Sequence, residues 1–497
     1  MHDTDNECTL TSALSAGPAG AQRLLALTIL WHPEPTRVGE QYVAGPDAAT
    51  LALDRYAPAF CHQGGAALPL GERSIARAPL SLRLDGGGRL IVTPPDSRMA
   101  VCVDGAALTG PGEFDAARLD AGLVLALGGA VLLCVHWTNG LPKAERYGAL
   151  MGVSSAMRRV RELVRQVAPT ELPVLLLGES GTGKEVAARA LHTASRRRDG
   201  PLVAVNMAAL GEDLAAADLF GAAKGAYTGA ERARGGYFAE AAGGTLFFDE
   251  IGNAPATVQA MLLRVLESGD YRPLGAARSE QSRVRLVAAT DQDLRDGSFN
   301  QPLLQRLEGF VIELPPLRRR REDIGLLITH VVRDWNAAAG SALTLPVPLV
   351  ESMCCQTWPG NVRQLRNVVV RALLDVQAGA APQLATLMPV AAPAPLSVSV
   401  APARANLAAL DHDAVLKAMN GCGWQIRAAA KALGVSRPSM YKLLAAHPLV
   451  REAAAIPLDE LRAALQAHEG DLTGCAMALK TPSEALRRQL RSRGLIA

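Results

Sequence analysis

The sequence predicts a multi-domain protein with an all-β region, a central α/β region and an all-helical tail. A chain of 497 residues is too long for a single hydrophobic core. Short apolar runs with hairpin-type turns fill its first part, and apolar runs separated by helical segments fill its middle. Only helical patterns remain beyond an Ala/Pro-rich stretch. Because the pattern changes along the chain, we expect separate structural units.

The overall charge excludes a chain-wide nucleic-acid or membrane surface. The formal net charge is +3, so any contact with DNA must be local. The eight cysteines are scattered without a Cys-x-x-Cys pair, which argues against a zinc site or a disulfide framework. We therefore expect a reducing, cytoplasmic setting.

Neither export nor membrane insertion is expected. Residues 1–10 carry three acidic side chains and no cationic start before an apolar stretch, unlike a signal peptide. The longest apolar run, residues 121–135, is shorter than a bilayer requires and is split by Gly128-Gly129. This pattern predicts two buried strands around a turn.

The first region, residues 1–140, is predicted to be an all-β sandwich that acts as a regulatory domain. Asp85-Gly86 and Asp104-Gly105 are hairpin-type turns between apolar runs. The predicted strands are residues 24–30, 80–84, 90–92, 99–103 and two within 122–135.

The middle of the chain has the pattern of a parallel sheet covered by helices, spanning residues 147–313. Its predicted buried strands are residues 172–177, 202–205, 245–248 and 284–289. Strand patterns then stop, which predicts a helical lid over residues 314–377. Residues 378–406 are rich in Ala and Pro with few charges, so we predict a linker there.

A phosphate-binding loop follows the first strand of this region. The motif G-x-x-x-x-G-K opens a helix, so backbone N–H groups, a helix N-terminus and a lysine would surround phosphate oxygens. The alternative is an ordinary glycine-rich turn, which the preceding strand disfavours. The predicted ATP-binding residues are Gly178, Glu179, Ser180, Gly181, Thr182, Gly183, Lys184 and Glu185.

Two carboxylates end the apolar strand Leu-Phe-Phe at residues 246–248. Asp249 is expected to hold Mg²⁺ through water, and Glu250 to orient the attacking water. Glu185 stands where most such loops have a metal-binding Ser or Thr, so the metal must rely on other groups. Taken alone, a strand ending in Asp-Glu is mostly structural, and its pairing with the loop favours catalysis.

Four motifs resemble the central domain of sigma-54-dependent transcription activators, which are AAA+ ATPases. They occur in the family's order as GESGTGKE at 178–185, GAYTGA at 225–230, GTLFFDEIG at 244–252 and WPGNVRQL at 358–365. The glutamate after the lysine is usual in that family. The resemblance implies a hexameric ring that binds upstream DNA and uses ATP and Mg²⁺ to remodel RNA polymerase carrying sigma-54.

The resemblance also assigns roles to single residues. Asn206 would restrain the catalytic glutamate, while Thr290 and Arg363 fall at the sensor I and sensor II positions, where they would respond to nucleotide phosphates. The GAYTGA hexapeptide would form a loop tip that contacts sigma-54. Because the chain is rich in Ala and Gly, the hexapeptide alone could also be a plain loop. That tip comprises Gly225, Ala226, Tyr227, Thr228, Gly229 and Ala230.

The sequence departs from the family's pattern at three positions. Tyr227 replaces the usual phenylalanine, and Asp291 replaces an asparagine after Thr290. Asn300 occupies the first of two positions where the family has arginines that act across the subunit interface, so only Arg306 remains. An arginine supplied in trans contributes several orders of magnitude to phosphoryl transfer. Slow hydrolysis or altered assembly would follow if the first arginine were essential.

Residues 407–447 resemble a Fis-type helix-turn-helix. The sequence WQIRAAAKALGVSRPSMYKLL at 424–444 predicts a helix, a glycine turn and a second, recognition helix. The predicted DNA-binding residues are Ser436, Arg437, Ser439, Tyr441 and Lys442.

A second copy of this helical unit is predicted at residues 455–497. A displacement of 46 positions superposes seven apolar residues, for example Val415 on Leu461 and Met440 on Leu486. The copy has Lys480-Thr481-Pro482 where the first has its glycine turn, and its last helix carries four arginines. Two interpretations are open: a solvated helix used in dimer packing, or a second DNA contact.

The strand pattern of the N-terminal region and LGERS at 70–74 resemble a forkhead-associated domain. That fold usually binds phosphothreonine, which implies a phosphoprotein partner, but no Ser-x-x-His and no Asn-Gly stand at the expected places. Arg37, Arg73 and Arg77 are candidates for an anion site, with ordinary surface arginines as the favoured explanation.

Two alternatives compete with a sigma-54 activator. An AAA+ remodelling ATPase outside transcription would need neither GAYTGA nor a helix-turn-helix. A DNA-binding regulator with impaired hydrolysis would explain Asn300. The target genes, the DNA site, the activating signal and the resting oligomeric state are not encoded in recognisable motifs.

Overall fold

The computed structural model of the chain describes residues 23–45, 50–62, 65–139, 150–211, 214–226, 232–295, 297, 299–388, 412–433, 437–445, 447, 449–451, 453–468, 471–493 and 495. It divides into two compact units, Met1–Pro389 and Val390–Ala497.

Two antiparallel sheets form the N-terminal region, in the orders β2-β1-β10-β9-β6-β7 and β3-β4-β5-β8. Alternate side chains such as Leu27, Leu82 and Leu133 fill the core between the sheets. The predicted β-rich region is confirmed, although it also contains a helix. Its elements are β1 (Leu24–Trp31), β2 (Gln41–Val43), β3 (Thr50–Leu53), β4 (Leu80–Leu84), β5 (Leu90–Thr93), β6 (Val101–Val103), β7 (Ala106–Ala107), β8 (Gly112–Phe114), α1 (Ala116–Ala121), β9 (Leu123–Leu127) and β10 (Val131–Thr138).

The central region is a parallel five-stranded sheet, ordered β12-β13-β16-β11-β17, with helices packed against it. Its loops at the carboxyl ends of the strands carry the motifs, as expected for an open α/β sheet. Its elements are α2 (Ser155–Val167), β11 (Val174–Leu177), α3 (Lys184–Thr193), β12 (Leu202–Asn206), α4 (Ala215–Phe220), α5 (Tyr237–Glu240), β13 (Thr245–Asp249), α6 (Ala256–Ser268), β14 (Asp270–Tyr271), β15 (Glu280–Gln281), β16 (Arg285–Thr290), α7 (Gln301–Leu307) and β17 (Phe310–Glu313).

A helical lid follows, formed by α8 (Ile324–Ala339), α9 (Val347–Cys354), α10 (Asn361–Gln377) and α11 (Leu384–Leu387). The prediction that the linker begins at residue 378 was wrong. Residues 384–387 form α11, and Leu387 is buried in the lid core. Few charges and many alanines are typical of a linker, yet Leu384 and Met388 also pack against the lid core beside Leu387. The rest of the predicted linker, from 389 on, lies outside the described residues.

The second unit is all-helical, and its helices are α12 (His412–Gly421), α13 (Ile426–Ala432), α14 (Arg437–Ala445), α15 (Leu458–Ala467), α16 (Leu472–Leu479) and α17 (Ser483–Ser492). One core joins residues from all six helices, with the fully buried Trp424 among them. In the part of the chain that the structure describes, no helix has the length and apolar character needed to cross a bilayer.

Candidate nucleotide-binding site

The predicted phosphate loop connects β11 to α3, as the motif requires. Leu177 ends the strand and Lys184 begins the helix. Gly181 has a φ of 78°, and a Cβ at this position would lie 2.4 Å from the carbonyl oxygen of Gly360 in the lid. Only glycine satisfies both conditions, so the loop is built for close approach of the lid backbone.

Lys184 is held inside this loop. Its Nζ donates to the carbonyl oxygens of Gly178 at 2.7 Å and Glu179 at 3.4 Å, and the residue is 7% exposed. Glu185, by contrast, pairs with Arg189 at 2.8 Å on the exposed surface of α3. The lysine therefore supplies the loop's cation, while the side chain of Glu185 is turned to the helix surface.

Lid residues contact the loop directly. Arg318 donates two hydrogen bonds, at 2.7 and 2.6 Å, to the carboxylate of Glu179. These bonds lower the pKa of Glu179 to about 2, with Asn361 adding a third donor. Arg363 donates to Ser180 Oγ at 3.0 Å. The predicted sensor arginine thus lies against the loop, and Arg318 is a lid contact that the sequence did not reveal.

Asp249 and Glu250 lie at the carboxyl end of β13, beside the end of β12. Glu250 has a φ of 55°, a left-handed conformation that is strained for a residue with a Cβ, and its backbone N–H donates to Asp249 Oδ1 at 3.1 Å. Burial raises the pKa of Glu250, and the neighbouring Asp291 raises it further. A carboxylate with raised basicity at a strand end suits a general base.

The two other predicted strand-end residues differ in burial. Asn206 pairs in register with Asp249, is exposed, and accepts a hydrogen bond from the N–H of Ala208 at 2.9 Å. Thr290 is fully buried, and its carbonyl oxygen accepts a hydrogen bond from Gly178 N–H at 3.3 Å. The end of β16 is therefore tied to the start of the loop.

Asn300, the departure from the family's pattern, caps a helix. Its Oδ1 accepts a hydrogen bond from Leu303 N–H at 3.0 Å at the start of α7, and its own N–H donates to Gln259 Oε1 at 2.8 Å. Arg306 lies on the exposed surface of the last turn of α7. Asn300 is thus a structural residue, and Arg306 is available to a neighbouring molecule.

Two cavities adjoin the phosphate loop, and the sequence predicted neither. The larger, of about 530 Å³, touches Thr182 and Gly183 and is walled by Leu314, Leu327 and Val331. The smaller, of about 390 Å³, touches the start of the loop and the end of β16. An apolar cavity beside a phosphate loop suits a planar nucleobase. The walls of the larger cavity come from the lid and the α/β region together, so no local sequence pattern could reveal it.

The GAYTGA segment belongs to a loop with a closed base. Ala222 and Arg234 exchange two backbone hydrogen bonds, at 3.0 and 2.9 Å. Gly225 has a φ of 80°, and Ala226 packs next to Gly275. The remaining predicted contact residues, Tyr227, Thr228, Gly229 and Ala230, lie outside the described residues.

The predicted DNA-binding residues fall on or beside α14. Tyr441 is 47% exposed. The backbone of α14 includes Arg437, Ser439 and Lys442, whose side chains are not among those described, and Ser436 lies outside the described residues.

Arg37 is a buried structural residue in the N-terminal region and does not belong to an exposed anion site. It pairs with Glu40 at 2.7 Å and donates to the carbonyl oxygens of Pro69 and Leu70. Sequence alone could not separate it from Arg73 and Arg77, which are exposed. The anion-site candidates are thereby reduced to these two.

Comparison with known proteins matches the central region to two families. The sigma-54 interaction domain matches residues 150–313, and the AAA+ ATPase lid domain matches residues 318–390. The DNA-binding transcriptional regulator NtrC of Azospirillum brasilense is 44% identical over 233 residues, covering 46% of this chain and 48% of that protein.

The transcriptional regulatory protein ZraR of Salmonella typhimurium is 37% identical over 302 residues, covering 60% of this chain and 68% of that protein. A crystal structure of NtrX from Brucella abortus in complex with ATP is 30% identical, with a TM-score of 0.44, and covers 61% of this chain and 69% of that one. The chain spans about half the length of relatives such as NtrC. The chain belongs to the sigma-54 interaction domain family of transcriptional regulators.

Proposed function

We propose that this protein is a transcription activator that binds upstream DNA and hydrolyses ATP to remodel RNA polymerase holoenzyme carrying sigma-54. One observation carries the proposal. Arg363 of the lid donates to Ser180 of the phosphate loop, and Glu250 interacts electrostatically with Lys184, all within residues that match the sigma-54 interaction domain and its lid.

Hydrolysis follows from the chemistry of this site. The backbone N–H groups of the loop and the N-terminus of α3 bind phosphate oxygens, and Lys184 neutralises their charge. The raised pKa of Glu250 makes its carboxylate a stronger base toward the attacking water. Arg306, exposed on α7, acts on the nucleotide of a neighbouring subunit in a hexameric ring, where its charge stabilises the transferring phosphoryl group.

The donor set fits Mg²⁺ bound together with the nucleotide. Within the described residues, no three His, Cys, Asp or Glu side chains converge as a metal cage. Mg²⁺ usually retains water and uses one or two carboxylates plus substrate phosphates, which matches Asp249 acting through water. When bound, the ion neutralises charge that develops on the phosphates.

The remaining predicted sites complete the proposal. Thr290 and Arg363 respond to the phosphates, and Asn206 restrains Glu250 until sigma-54 is contacted. Residues 225–230 form the sigma-54 contact, which the closed base of their loop supports. Residues 436–442 contact DNA as part of a helix-turn-helix. The N-terminal region acts as a regulatory domain of forkhead-associated type, with Arg73 and Arg77 as the exposed cations that a phosphoprotein partner would meet.

ATP turnover by the purified full chain tests the motor. Lys184→Ala should abolish nucleotide binding, whereas Glu250→Gln should retain binding and lower turnover at least about a hundredfold. Turnover that is absent from the wild type would instead favour a DNA-binding regulator with impaired hydrolysis.

Deletion of residues 225–230 tests the connection to transcription. The deletion should leave ATP turnover measurable and abolish activation of a sigma-54 promoter. Full activation by the deleted protein would show that residues 225–230 are not the sigma-54 contact. A wild type that hydrolyses ATP but does not activate the promoter would favour a remodelling ATPase that acts outside transcription.

A further inference from the structure

The two helical units of the C-terminal region are structural copies. A displacement of 46 positions carries α12 onto α15 at both ends, from His412 to Leu458 and from Gly421 to Ala467. The same displacement carries the starts of α13 and α14 onto those of α16 and α17. The sequence repeat is therefore a repeat of three helices with the same lengths and spacings to within one residue.

In the second copy, a residue other than glycine ends α16 before the turn to α17. Lys480, the counterpart of Gly434, has a φ of 48° and ends α16 in the left-handed conformation. A helix usually ends this way on glycine. The lysine thus supports the same change of direction between α16 and α17 that a glycine turn produces.

The exposed face of α17 is basic at the counterparts of two positions that are predicted to contact DNA in the first copy. Arg487 and Arg488 are the counterparts of Tyr441 and Lys442, and both are exposed, whereas Leu486 and Leu490 are buried in the shared core. A face made of arginines would repel its own copy across a homodimer, but it attracts DNA phosphates.

The two copies are fixed to one another. Ser483, at the start of α17, donates its N–H to the carbonyl oxygen of Trp424 in the first copy at 3.0 Å. A shared apolar core joins the copies over all six helices. Their recognition helices therefore have one fixed spacing within a single chain.

We propose that α17 is a second recognition helix, and that one chain contacts duplex DNA through both α14 and α17. This proposal rests on the DNA binding proposed for the first copy. A single chain would then contact two adjacent sites on the duplex, which a helix-turn-helix dimer contacts with one subunit each.

The salt dependence of binding to a short mixed-sequence DNA duplex tests this proposal with the full chain. Arg487→Ala/Arg488→Ala should reduce the slope of log K against log salt concentration by about two, one for each arginine removed from a phosphate. Arg487→Lys/Arg488→Lys should keep the slope, because charge rather than shape is needed. Arg462→Ala, which removes an exposed arginine from α15, is the matched control.

The outcomes distinguish a failure of the α17 proposal from a failure of the DNA binding proposed for the first copy. If Lys442→Ala reduces the slope and the arginine variant does not, α17 is no DNA contact and the inference is overturned. If the wild type does not bind the duplex at all, the proposed DNA binding fails instead. If the arginine variant changes self-association and not the slope, α17 serves dimer packing and the inference is overturned.

An independent feature of the N-terminal region is that its outer sheet face is buried against the lid. Leu30, Val124, Ala126, Leu132 and Cys134 share one apolar cluster with lid residues of α8, α9 and α10. The N-terminus of α8 approaches β1 so closely that a Cβ on Gly325 would lie 1.9 Å from the carbonyl oxygen of Leu30. Arg321 donates to the carbonyl oxygens of Gly122 and Cys355 and so links the sheet to the lid.

The same N-terminal sheet also contacts the α/β region. Arg158 on α2 donates to Thr138 Oγ1 at 2.7 Å and lies 3.5 Å from Gln41 Oε1. Thr138 in turn lies 3.0 Å from Ser155 Oγ, at the start of α2. The N-terminal region therefore bridges the two parts of the motor between which the larger nucleotide cavity lies.

We infer that the N-terminal region acts as a brace, which limits lid movement and so slows release of bound nucleotide. This inference rests on the nucleotide binding proposed above. Opening the cavity requires the lid to move relative to α2, and a body fixed to both must first detach from one of them. Any signal that detaches the sheet would free the lid.

Release of a fluorescent ADP analogue from the full chain, chased with unlabelled ADP, tests the brace. Leu132→Asp places a carboxylate in the sheet–lid contact and should speed release about fivefold or more. Ile91→Asp, on the outer face of β5, is the matched control and should leave the rate unchanged. Hydrogen exchange of the β9 and β10 amides reports whether the sheet has detached.

Unchanged release despite faster exchange in β9 and β10 overturns the brace. Unchanged exchange in Leu30→Asp/Leu132→Asp overturns it as well, because a contact that tolerates two buried carboxylates does not hold the lid. A wild type that fails to bind the analogue contradicts the proposed function instead.

Discussion

Glu250 and Asp291 are two acidic residues that face each other beside Lys184. Burial and Asp291 both raise the pKa of Glu250, so more of its carboxylate is protonated at a given pH than in an ordinary glutamate. Glu250 must be deprotonated to act as a base. As the pH is lowered, ATP turnover should therefore begin to decline at a higher pH than it would with an ordinary glutamate. Asp291→Asn should move this decline to lower pH, measured as kcat against pH. A decline that stays in place would show that Asp291 does not act on Glu250.

Glu322 is a buried carboxyl beside His136, at the contact between sheet and lid. Burial and Asp323 raise its pKa to about 8, from an ordinary 4.5. The folded state therefore binds more protons than the unfolded state between these values, and stability falls as pH rises through them. His136, with its pKa lowered by burial to about 4, is neutral in both states above about 6.5.

Glu322→Gln should therefore make the melting temperature less dependent on pH between about 6.5 and 8. Glu113→Gln, at an exposed position on β8, should leave the dependence as in the wild type. Equal pH dependence of the wild type and Glu322→Gln would mean that Glu322 is not buried against the sheet in solution.

Asn300 replaces an arginine of the family's pattern and caps α7. Removing the cap in Asn300→Ala should lower the free energy of unfolding by about 1 kcal/mol, measured by urea denaturation. Asn300→Asp keeps a cap acceptor and should remain close to the wild type. If both variants were equally stable, the hydrogen bond to Leu303 would contribute nothing.

Among the secondary-structure elements, the left-handed end of α16 is a source of strain. Lys480 carries a Cβ in a conformation that costs about 1–2 kcal/mol for residues other than glycine. Lys480→Gly should stabilise α16 and α17 by about 1 kcal/mol, seen as slower hydrogen exchange of their amides in the full chain. Lys480→Ala keeps the Cβ and should give no such gain; a gain equal to that of glycine would disprove the strain.

Elements with a strong periodic pattern were predictable from the sequence, and short or packed ones were not. The apolar run 121–135 predicted β9 and β10 because both faces of these strands are buried, one against the second sheet and one against the lid. The sequence did not reveal that the lid covers one face of these two strands. Strands of two or three residues, such as β7 and β8, carry too few residues for a period to show. The turn α11 depends on lid packing, which explains the wrong linker boundary.

The candidate site was likewise predictable from the sequence only in part. Lys184, Asp249 and Glu250 lie in motifs whose backbone shape is local, so the sequence located them. The contact of Arg318 with Glu179 and the apolar cavity form only when the lid meets the α/β region, across more than a hundred residues of chain. The capping role of Asn300 also has a local signal, since Asn is a preferred residue at the start of a helix.

At the scale of the whole molecule, the proposed nucleotide site, the proposed regulatory sheet and the proposed DNA-binding helices form one activator only if ATP turnover drives promoter opening. The decisive measurement is formation of open complexes on a supercoiled sigma-54 promoter with purified sigma-54 holoenzyme. We expect opening that requires the full chain and ATP, fails with Glu250→Gln, and does not occur with a holoenzyme lacking sigma-54. Opening that proceeds equally with Glu250→Gln, or no opening with the wild type and ATP, would contradict ATP-driven activation.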